Sequence, residues 1–255
     1  QQLYFQIGNS IHRIIETGEV QPFAEDAANP QVTLSGIQVA FTKPDNTVSV
    51  VGARSFEAPA NAIQMSGNGR YLLVGNRVFD LDTNLSQNIE AKPKSVASNG
   101  TILLDDGSLW QEPALPFRST DDTAMSDNGE ILLYEKTLVT GLGKFTEHWL
   151  YSYNRLSQKS ELFFTSAVLG QIPRVLAISA TGTTALVLST RSGTSPGTAY
   201  IVTAGITGQR IRFDEPVLEG TLSGDGQMAF LVTQSQRLIR LNRSTGEITT
   251  LFALQ

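Results

Sequence analysis

Met125-Ser126-Asp127-Asn128-Gly129-Glu130-Ile131-Leu132-Leu133-Tyr134 is the stretch on which the reading of the fold turns. Gly, Asn and Asp tolerate the positive φ that tight hairpin turns demand. The flanking residues are apolar and often β-branched, so they suit buried strands. The serine hydroxyl can bond a nearby backbone amide and hold the turn. The stretch therefore reads as an inner strand, a tight turn and a second strand.

The same phrase returns along the chain. Met65-Ser66-Gly67-Asn68-Gly69 precedes Tyr71-Leu72-Leu73-Val74, and Ala97-Ser98-Asn99-Gly100 precedes Ile102-Leu103-Leu104. Ile178-Ser179-Ala180-Thr181-Gly182 precedes Ala185-Leu186-Val187-Leu188, and Leu222-Ser223-Gly224-Asp225-Gly226 precedes Met228-Ala229-Phe230-Leu231-Val232. A degenerate copy, Leu34-Ser35-Gly36, comes before Val39-Ala40-Phe41. A weaker phrase follows several copies: an alternating strand, a polar turn and another strand. Arg237 to Leu241, then Ser244-Thr245-Gly246-Glu247, then Ile248 to Phe252 shows it best. Ile11 to Ile15 with Thr17-Gly18-Glu19 and Val20 to Phe23 is another example, and Val78 to Asp82 and Leu150 to Asn154 begin two more. Two hairpins make a four-stranded unit.

Successive serines lie about 28 to 53 residues apart, scattered around the roughly 40 of a propeller blade. No helical period is sustained, so almost no helix is expected. A lone four-stranded unit cannot bury both faces, whereas units packed radially around a channel can, and they leave only short edges. The expected fold is an all-β β-propeller of about seven blades, mostly of four antiparallel strands. Leu3 to Phe23 supplies three strands with no inner strand before them, while Glu219 to Phe252 supplies four. Either the first blade is short or its inner strand lies outside this chain. The expectation is a single domain over residues 1–255, cut from a longer protein.

The Ser-x-Asp/Asn-Gly turn before an apolar strand, with a later strand ending in Thr-Gly-Glu, resembles the WD-repeat-like propellers of bacteria. These include the TolB type and related surface-protein propellers. The resemblance covers nearly the whole chain and speaks to architecture; the Trp-Asp dipeptide of true WD repeats is absent. Such propellers serve as protein-binding scaffolds, sugar-binding modules and supports for hydrolases and lyases, and the fold does not choose among these. The resemblance implies a bacterial, secreted or periplasmic setting.

Composition narrows the field. At 40% hydrophobic and 17% charged, the 255 residues can build a core and are not disordered. With 24 acidic against 19 basic residues the net charge is −5, which argues against nucleic acid as a partner. There is no cysteine, so disulfides, thiolate metal sites and a cysteine nucleophile are excluded. No apolar run approaches the ~18 residues of a membrane span, so no membrane insertion is expected. Gln1 is neither an initiator methionine nor the start of a signal peptide, so the chain reads as processed or excised. Gln2-Leu3-Tyr4-Phe5-Gln6 resembles the end of a protease-tag site, but its alternation reads better as a native strand.

Candidate chemistry is sparse. Gly193-Thr194-Ser195-Pro196-Gly197 fits a hydrolase nucleophile elbow, but that motif needs a following helix and these residues sit between two strands. His12 and His148 are the two histidines; His12 lies in an alternating strand, and HExxH is absent. Asp80-Leu81-Asp82-Thr83-Asn84 opens like a calcium loop without its Gly and distal Glu, so turn chemistry explains it better. The glycosylation pattern at Asn84, Asn99 and Asn242 is too short to weigh. Trp149 and Tyr151 share a strand face and read as core rather than as a sugar platform. No cofactor, metal site or catalytic residue is expected.

Propeller geometry offers a binding face. The turn after each inner strand lies on one face; the inter-blade connections and the loops between second and third strands lie on the other. That second face collects residues just before the inner strands: Lys94, Asp121, Asp122, Arg174 and Glu219. The two longest insertions, Val139 to Glu147 and Thr190 to Thr198, fall there as well. The expected function is a non-enzymatic scaffold that binds a protein, peptide or carbohydrate through this face. The alternatives are a hydrolase or lyase on the same scaffold, or a structural segment of a larger surface protein.

Overall fold

The structure is a computed structural model that describes residues 3–15, 18–45, 47–51, 56–57, 63–117, 122–140, 145–166, 170–191, 194–205 and 210–253. Its regular elements are all antiparallel strands, and no helix long and apolar enough to cross a membrane occurs among the described residues. The chain groups into two compact units, Gln1–Asp105 with Leu109–Ala114, and Asp106–Ser108 with Leu115–Gln255.

The first unit opens on a three-stranded sheet of β1 (Leu3–Ile7), β2 (Ser10–Ile14) and β3 (Val20–Ala24). Two four-stranded sheets follow: β4 (Ala28–Val32), β5 (Val39–Thr42), β6 (Thr47–Val50), β7 (Phe56–Glu57), then β8 (Ile63–Met65), β9 (Tyr71–Val74), β10 (Arg77–Asp80), β11 (Leu85–Asn88). A two-stranded sheet of β12 (Pro93–Val96) and β13 (Ile102–Leu104) ends the unit.

The second unit holds a four-stranded sheet of β14 (Ala124–Met125), β15 (Ile131–Thr140), β16 (Phe145–Asn154) and β17 (Lys159–Thr165). Beyond it lies one seven-stranded sheet: β18 (Ile172–Ile178), β19 (Thr184–Thr190), β20 (Gly197–Thr203), β21 (Arg210–Leu222), β22 (Met228–Thr233), β23 (Arg237–Asn242) and β24 (Ile248–Ala253). Two four-stranded units are thus merged. β21 pairs with β20 through Arg210 to Phe213 and with β22 through Glu219 to Leu222, and the register breaks around Val217. One strand is the fourth of one unit and the first of the next.

The recurring turns behave as their chemistry requires. Ser66 Oγ donates to Asn68 Oδ1 (2.7 Å) and accepts the Tyr71 N–H (3.0 Å). Ser126 does the same with Asn128 (2.6 Å) and Ile131 (3.0 Å), and Ser223 with Asp225 (2.5 Å) and Met228 (2.9 Å). Ser179 keeps the second bond, from the Thr184 N–H at 3.0 Å. The register of two copies differs from the sequence reading. In the first, Thr33 rather than Ser35 occupies the hydroxyl position and accepts the Gln38 N–H. In the fourth sheet Ala97 occupies it: the Gly100 N–H bonds the Ala97 carbonyl as Gly69 bonds Ser66. Ser98 instead accepts the N–H of Asn68 from the neighbouring turn (3.0 Å).

Neighbouring turns are tied together within each unit. The Leu34 N–H bonds the Gly67 carbonyl (2.8 Å), Asn128 bonds Ala180 (3.1 Å) and Ala180 bonds Gly224 (2.8 Å). The fourth residue of each turn is glycine for two reasons. At Gly182 φ is +75°, and a Cβ would lie 2.4 Å from Ile131 Cβ of the adjacent sheet.

The three-stranded first sheet matches the later strands of its neighbours. Gly8-Asn9 between β1 and β2 repeats Gly75-Asn76 between β9 and β10, and both glycines have positive φ. The Ala27 N–H bonds Asn9 O as the Ile89 N–H bonds Asn76 O, each at 2.8 Å. β1–β3 are therefore equivalent to β9–β11, the second to fourth strands of a unit.

Apolar side chains meet between the sheet of β14–β17 and the seven-stranded sheet, and between the two halves of the seven-stranded sheet. Leu133, Leu150 and Phe164 pack with Val187 and Tyr200, and Leu186, Leu188, Phe213 and Val217 pack with Leu231 and Leu241. Burying each such side chain contributes about 1.5–3 kcal/mol.

Candidate functional site

In the second unit, the linked turns lie at one end of the sheets and the hairpins between second and third strands lie at the other. The longest hairpin is β15–β16, paired through ten rungs from Ile131↔Asn154 to Thr140↔Phe145. β14 pairs only with Leu132 and Leu133, and β17 reaches only to Trp149. Among the described residues, the outer rungs of β15–β16 therefore extend beyond both flanking strands as a two-stranded arm. The insertion read from sequence as a loop at Val139 to Glu147 is mostly this arm; residues 141–144 lie outside the described residues.

Alternation places Leu133, Glu135 and Thr137 on one face of β15, with Leu150 and His148 on the same face of β16. Leu133 and Leu150 join the apolar core. Just beyond them, Glu135 Oε1 lies 2.6 Å from His148 Nδ1, the side chains being 14% and 18% exposed. Glu135 Oε1 also accepts the Thr137 hydroxyl at 3.0 Å.

A hydroxyl group lies alongside. Trp149 pairs with Thr165, so one further step of the register sets Ser166 opposite His148, two residues past the core residue Phe164 on the same face. Ser166 Oγ is 3.0 Å from Gln171 Oε1 and 3.1 Å from Ser189 Oγ, and Ser189 donates to Gln171 Oε1 at 2.7 Å. Ser189 stands two residues beyond the core residue Val187 on β19. Two polar groups thus border the apolar core, Glu135 with His148 and Thr137, and Ser166 with Ser189 and Gln171. Sequence reasoning missed both groups. The alternation of β16 was readable, but the pairing of Glu135 with His148 depends on a register that composition does not carry.

The residues expected at the binding face have definite places. Lys94 is half-buried in β12 of the first unit, and Asp121 lies outside the described residues. Arg174 and Glu219 are exposed and lie within β18 and β21 rather than before them, a correction to the sequence reading: the inner strands start earlier than their apolar runs suggest. Arg174 pairs with Leu188 and Glu219 with Val232, in each case the fifth residue of the next strand. Continuing the β14 register by two residues sets Asp122 opposite Glu135, also the fifth residue of its strand. Asp122, Arg174 and Glu219 therefore occupy one rung on successive inner strands, with alternating charge. Arg174 and Glu219 form no ion pair with each other among the described residues.

Other singled-out residues are structural. Trp149 and Tyr151 are half-buried on the opposite face of β16; their rings lie 6.5 Å apart, and Tyr134 links Tyr151 to Phe117, stacked at 3.7 Å. The indole N–H of Trp149 donates to Glu147 (3.0 Å). His12 stacks on Phe5 in the first sheet. Asp80 Oδ1 caps a turn by accepting the N–H groups of Asp82 and Thr83, and Asp80 pairs with Arg70 at 2.8 Å. Thr194–Pro196 join β19 to β20 and no helix follows; Gly193 lies outside the described residues. Among the described residues, no three His, Asp or Glu side chains gather as metal ligands do.

No protein-family model and no curated protein matches the chain. Solved structures do. The β-propeller domain of Cps50 (Swd1) from Myceliophteria thermophila is 14% identical with a TM-score of 0.56, covering 89% of this chain and 85% of that one. Hydrazine synthase from Kuenenia stuttgartiensis is 11% identical with a TM-score of 0.55, covering 97% and 90%. The dihydro-heme d1 dehydrogenase NirN, solved in complex with DHE, is 14% identical with a TM-score of 0.50, covering 97% and 72%. At such identities the likeness shows the fold alone: an all-β chain of the WD-like β-propeller architecture, as the repeated turns imply.

Proposed function

We propose that the chain is one propeller domain of about seven blades that binds a protein, peptide or carbohydrate through the face opposite the linked turns. β1–β3 and β12–β13 count as incomplete blades, and β21 is shared between the last two. One observation carries the reading. The backbone groups of the turns are spent on one another, as in Asn128 to Ala180 to Gly224, while the β15–β16 arm and the rung of Asp122, Arg174 and Glu219 lie at the other end. Loops and hairpins raised on a rigid scaffold are where binding residues concentrate. The resemblance to bacterial propellers supports a secreted or periplasmic setting.

A thermal-shift screen with oligosaccharides and short peptides tests the reading, because a ligand selective for the native state raises the melting midpoint by mass action. A ligand present at about a hundred times its Kd adds about 2.7 kcal/mol. The shift should shrink in Arg174→Ala and Asp122→Ala. A shift unchanged in both variants would remove the face, and no shift from any probe would favour a purely structural segment.

A further inference from the structure

We propose that the outer edge of β1 is an acceptor for one added β-strand, an extended segment of another polypeptide with an apolar–polar–apolar centre such as Ile-Gln-Met. Gln6 of β1 sets its register. This goes beyond the binding-face reading and rests on different residues. Among the described residues, β1 stands at the end of its sheet, with β2 on one side and no strand paired on the other. Its equivalent β9 lies between β8 and β10. The equivalence holds residue by residue. With Gly8-Asn9 set against Gly75-Asn76, Phe5, Gln6 and Ile7 correspond to Leu72, Leu73 and Val74. The apolar clusters agree: Tyr4, Ile11, Val39 and Phe41 pack together as Tyr71, Val78, Ile102 and Leu104 do.

The backbone of β1 is aimed for such pairing. Ile7 and Ser10 close the two-residue Gly8-Asn9 turn, so they form a bonded pair. Gln6, one residue further from the turn, therefore directs its N–H and C=O away from β2, to the outer edge. The Gln6 side chain does not use these groups: its Nε2 donates to the Gly8 carbonyl (2.8 Å) and its Oε1 accepts the Asn29 N–H (3.1 Å). The neighbouring sheet shows what belongs at the edge. β8 runs antiparallel to β9 with Ile63↔Val74, Gln64↔Leu73 and Met65↔Leu72, and Ile63 and Met65 pack with Leu72 and Val74. Beneath that cover Leu72 and Val74 are 0% and 2% exposed, whereas Phe5 and Ile7 are half-buried and Gln6 is exposed. A strand in the β8 register sets apolar side chains beside Phe5 and Ile7 and a polar one opposite Gln6. Glutamine in place of Leu73 suits an edge that faces water until its partner arrives. In strand addition, main-chain bonds supply affinity and alternate side chains supply specificity.

A synthetic peptide with the sequence of residues 60–67, which carries Ile63-Gln64-Met65, tests the assignment on the full chain. Fluorescence anisotropy reads its binding and amide exchange reads the place. The expected result is saturable binding that slows exchange at the Gln6 amide. Gln6→Pro removes the edge N–H and should weaken binding about tenfold or more. Gln6→Leu, which installs the residue of β9, should bind at least as tightly as the parent. A peptide with proline for its central glutamine should not bind. No binding to the folded parent, protection at another strand instead of β1, or equal binding by Gln6→Pro would each overturn the proposal. So would a Gln6 amide already protected in the free protein, or one that becomes protected as protein concentration rises without peptide, which would give the edge to this chain or to a second copy. The parent's exchange pattern decides the question even where a variant fails to fold.

Discussion

At the residue scale, the turn glycines carry two demands that can be separated. Gly182 and Gly246 share positive φ (+75° and +70°), but a Cβ at Gly182 would strike Ile131 of the adjacent sheet, while at Gly246 it would meet open space. Replacing either by alanine costs the left-handed penalty of about 1–2 kcal/mol. Gly182→Ala should cost about 1–3 kcal/mol more from overpacking. Urea midpoints of the two variants read the difference, and equal losses would deny the close approach. The acid in a turn is equally specific. A hydrogen bond from the Arg70 guanidinium is the main cause holding the Asp80 carboxyl down, from 3.8 to about 2, with the Thr83 and Asp82 amides assisting. Because the folded value lies below the unfolded one, this contribution is complete above 3.8 and is lost as pH falls through about 2. Asp80→Asn should flatten the fall in stability across that window, measured by denaturant midpoints; an unchanged slope would assign the fall to other carboxylates.

At the element scale, the reading of hairpins from serine, Asx and glycine held where the turn chemistry is complete, as at Ser66, Ser126 and Ser223. It slipped by a residue or two where a second serine drew the eye. Ser35 and Ser98 are real turn residues, but the hydroxyl position belongs to Thr33 and Ala97. No local pattern distinguishes them, because the position is defined by a bond to a residue several places on. The seven-stranded sheet was illegible for a similar reason. No repeated phrase marks Asp214-Glu215-Pro216, yet β21 runs through it, with Glu215 paired to Arg237 and bonded by Ser235. The Glu135–His148 contact joins residues on different strands of one hairpin, so it became visible only once the β15–β16 register was known. The arm makes its own prediction. Among the described residues no flanking strand pairs with 136–140 or 146–147, whereas β19 is buried along its length. Amide exchange should be fast in the outer arm and slow, near the global limit, in β19. Comparable protection in both would mean that something covers the arm.

At the scale of the whole molecule, repeated turns, apolar cores and the likeness to propeller domains support one proposal, a single closed domain. The two compact units each carry the same device, neighbouring turns tied by backbone hydrogen bonds: Leu34 to Gly67 in one, Asn128 to Ala180 to Gly224 in the other. If the device continues across both, the chain folds as one body, and a ring of about seven blades buries faces that an isolated blade would expose. Small-angle X-ray scattering tests this most directly. One compact domain of 255 residues should show a radius of gyration of about 18 Å and a single-peaked distance distribution. A clearly larger radius with a two-lobed distribution would contradict the single propeller and leave two separate sheet assemblies in its place.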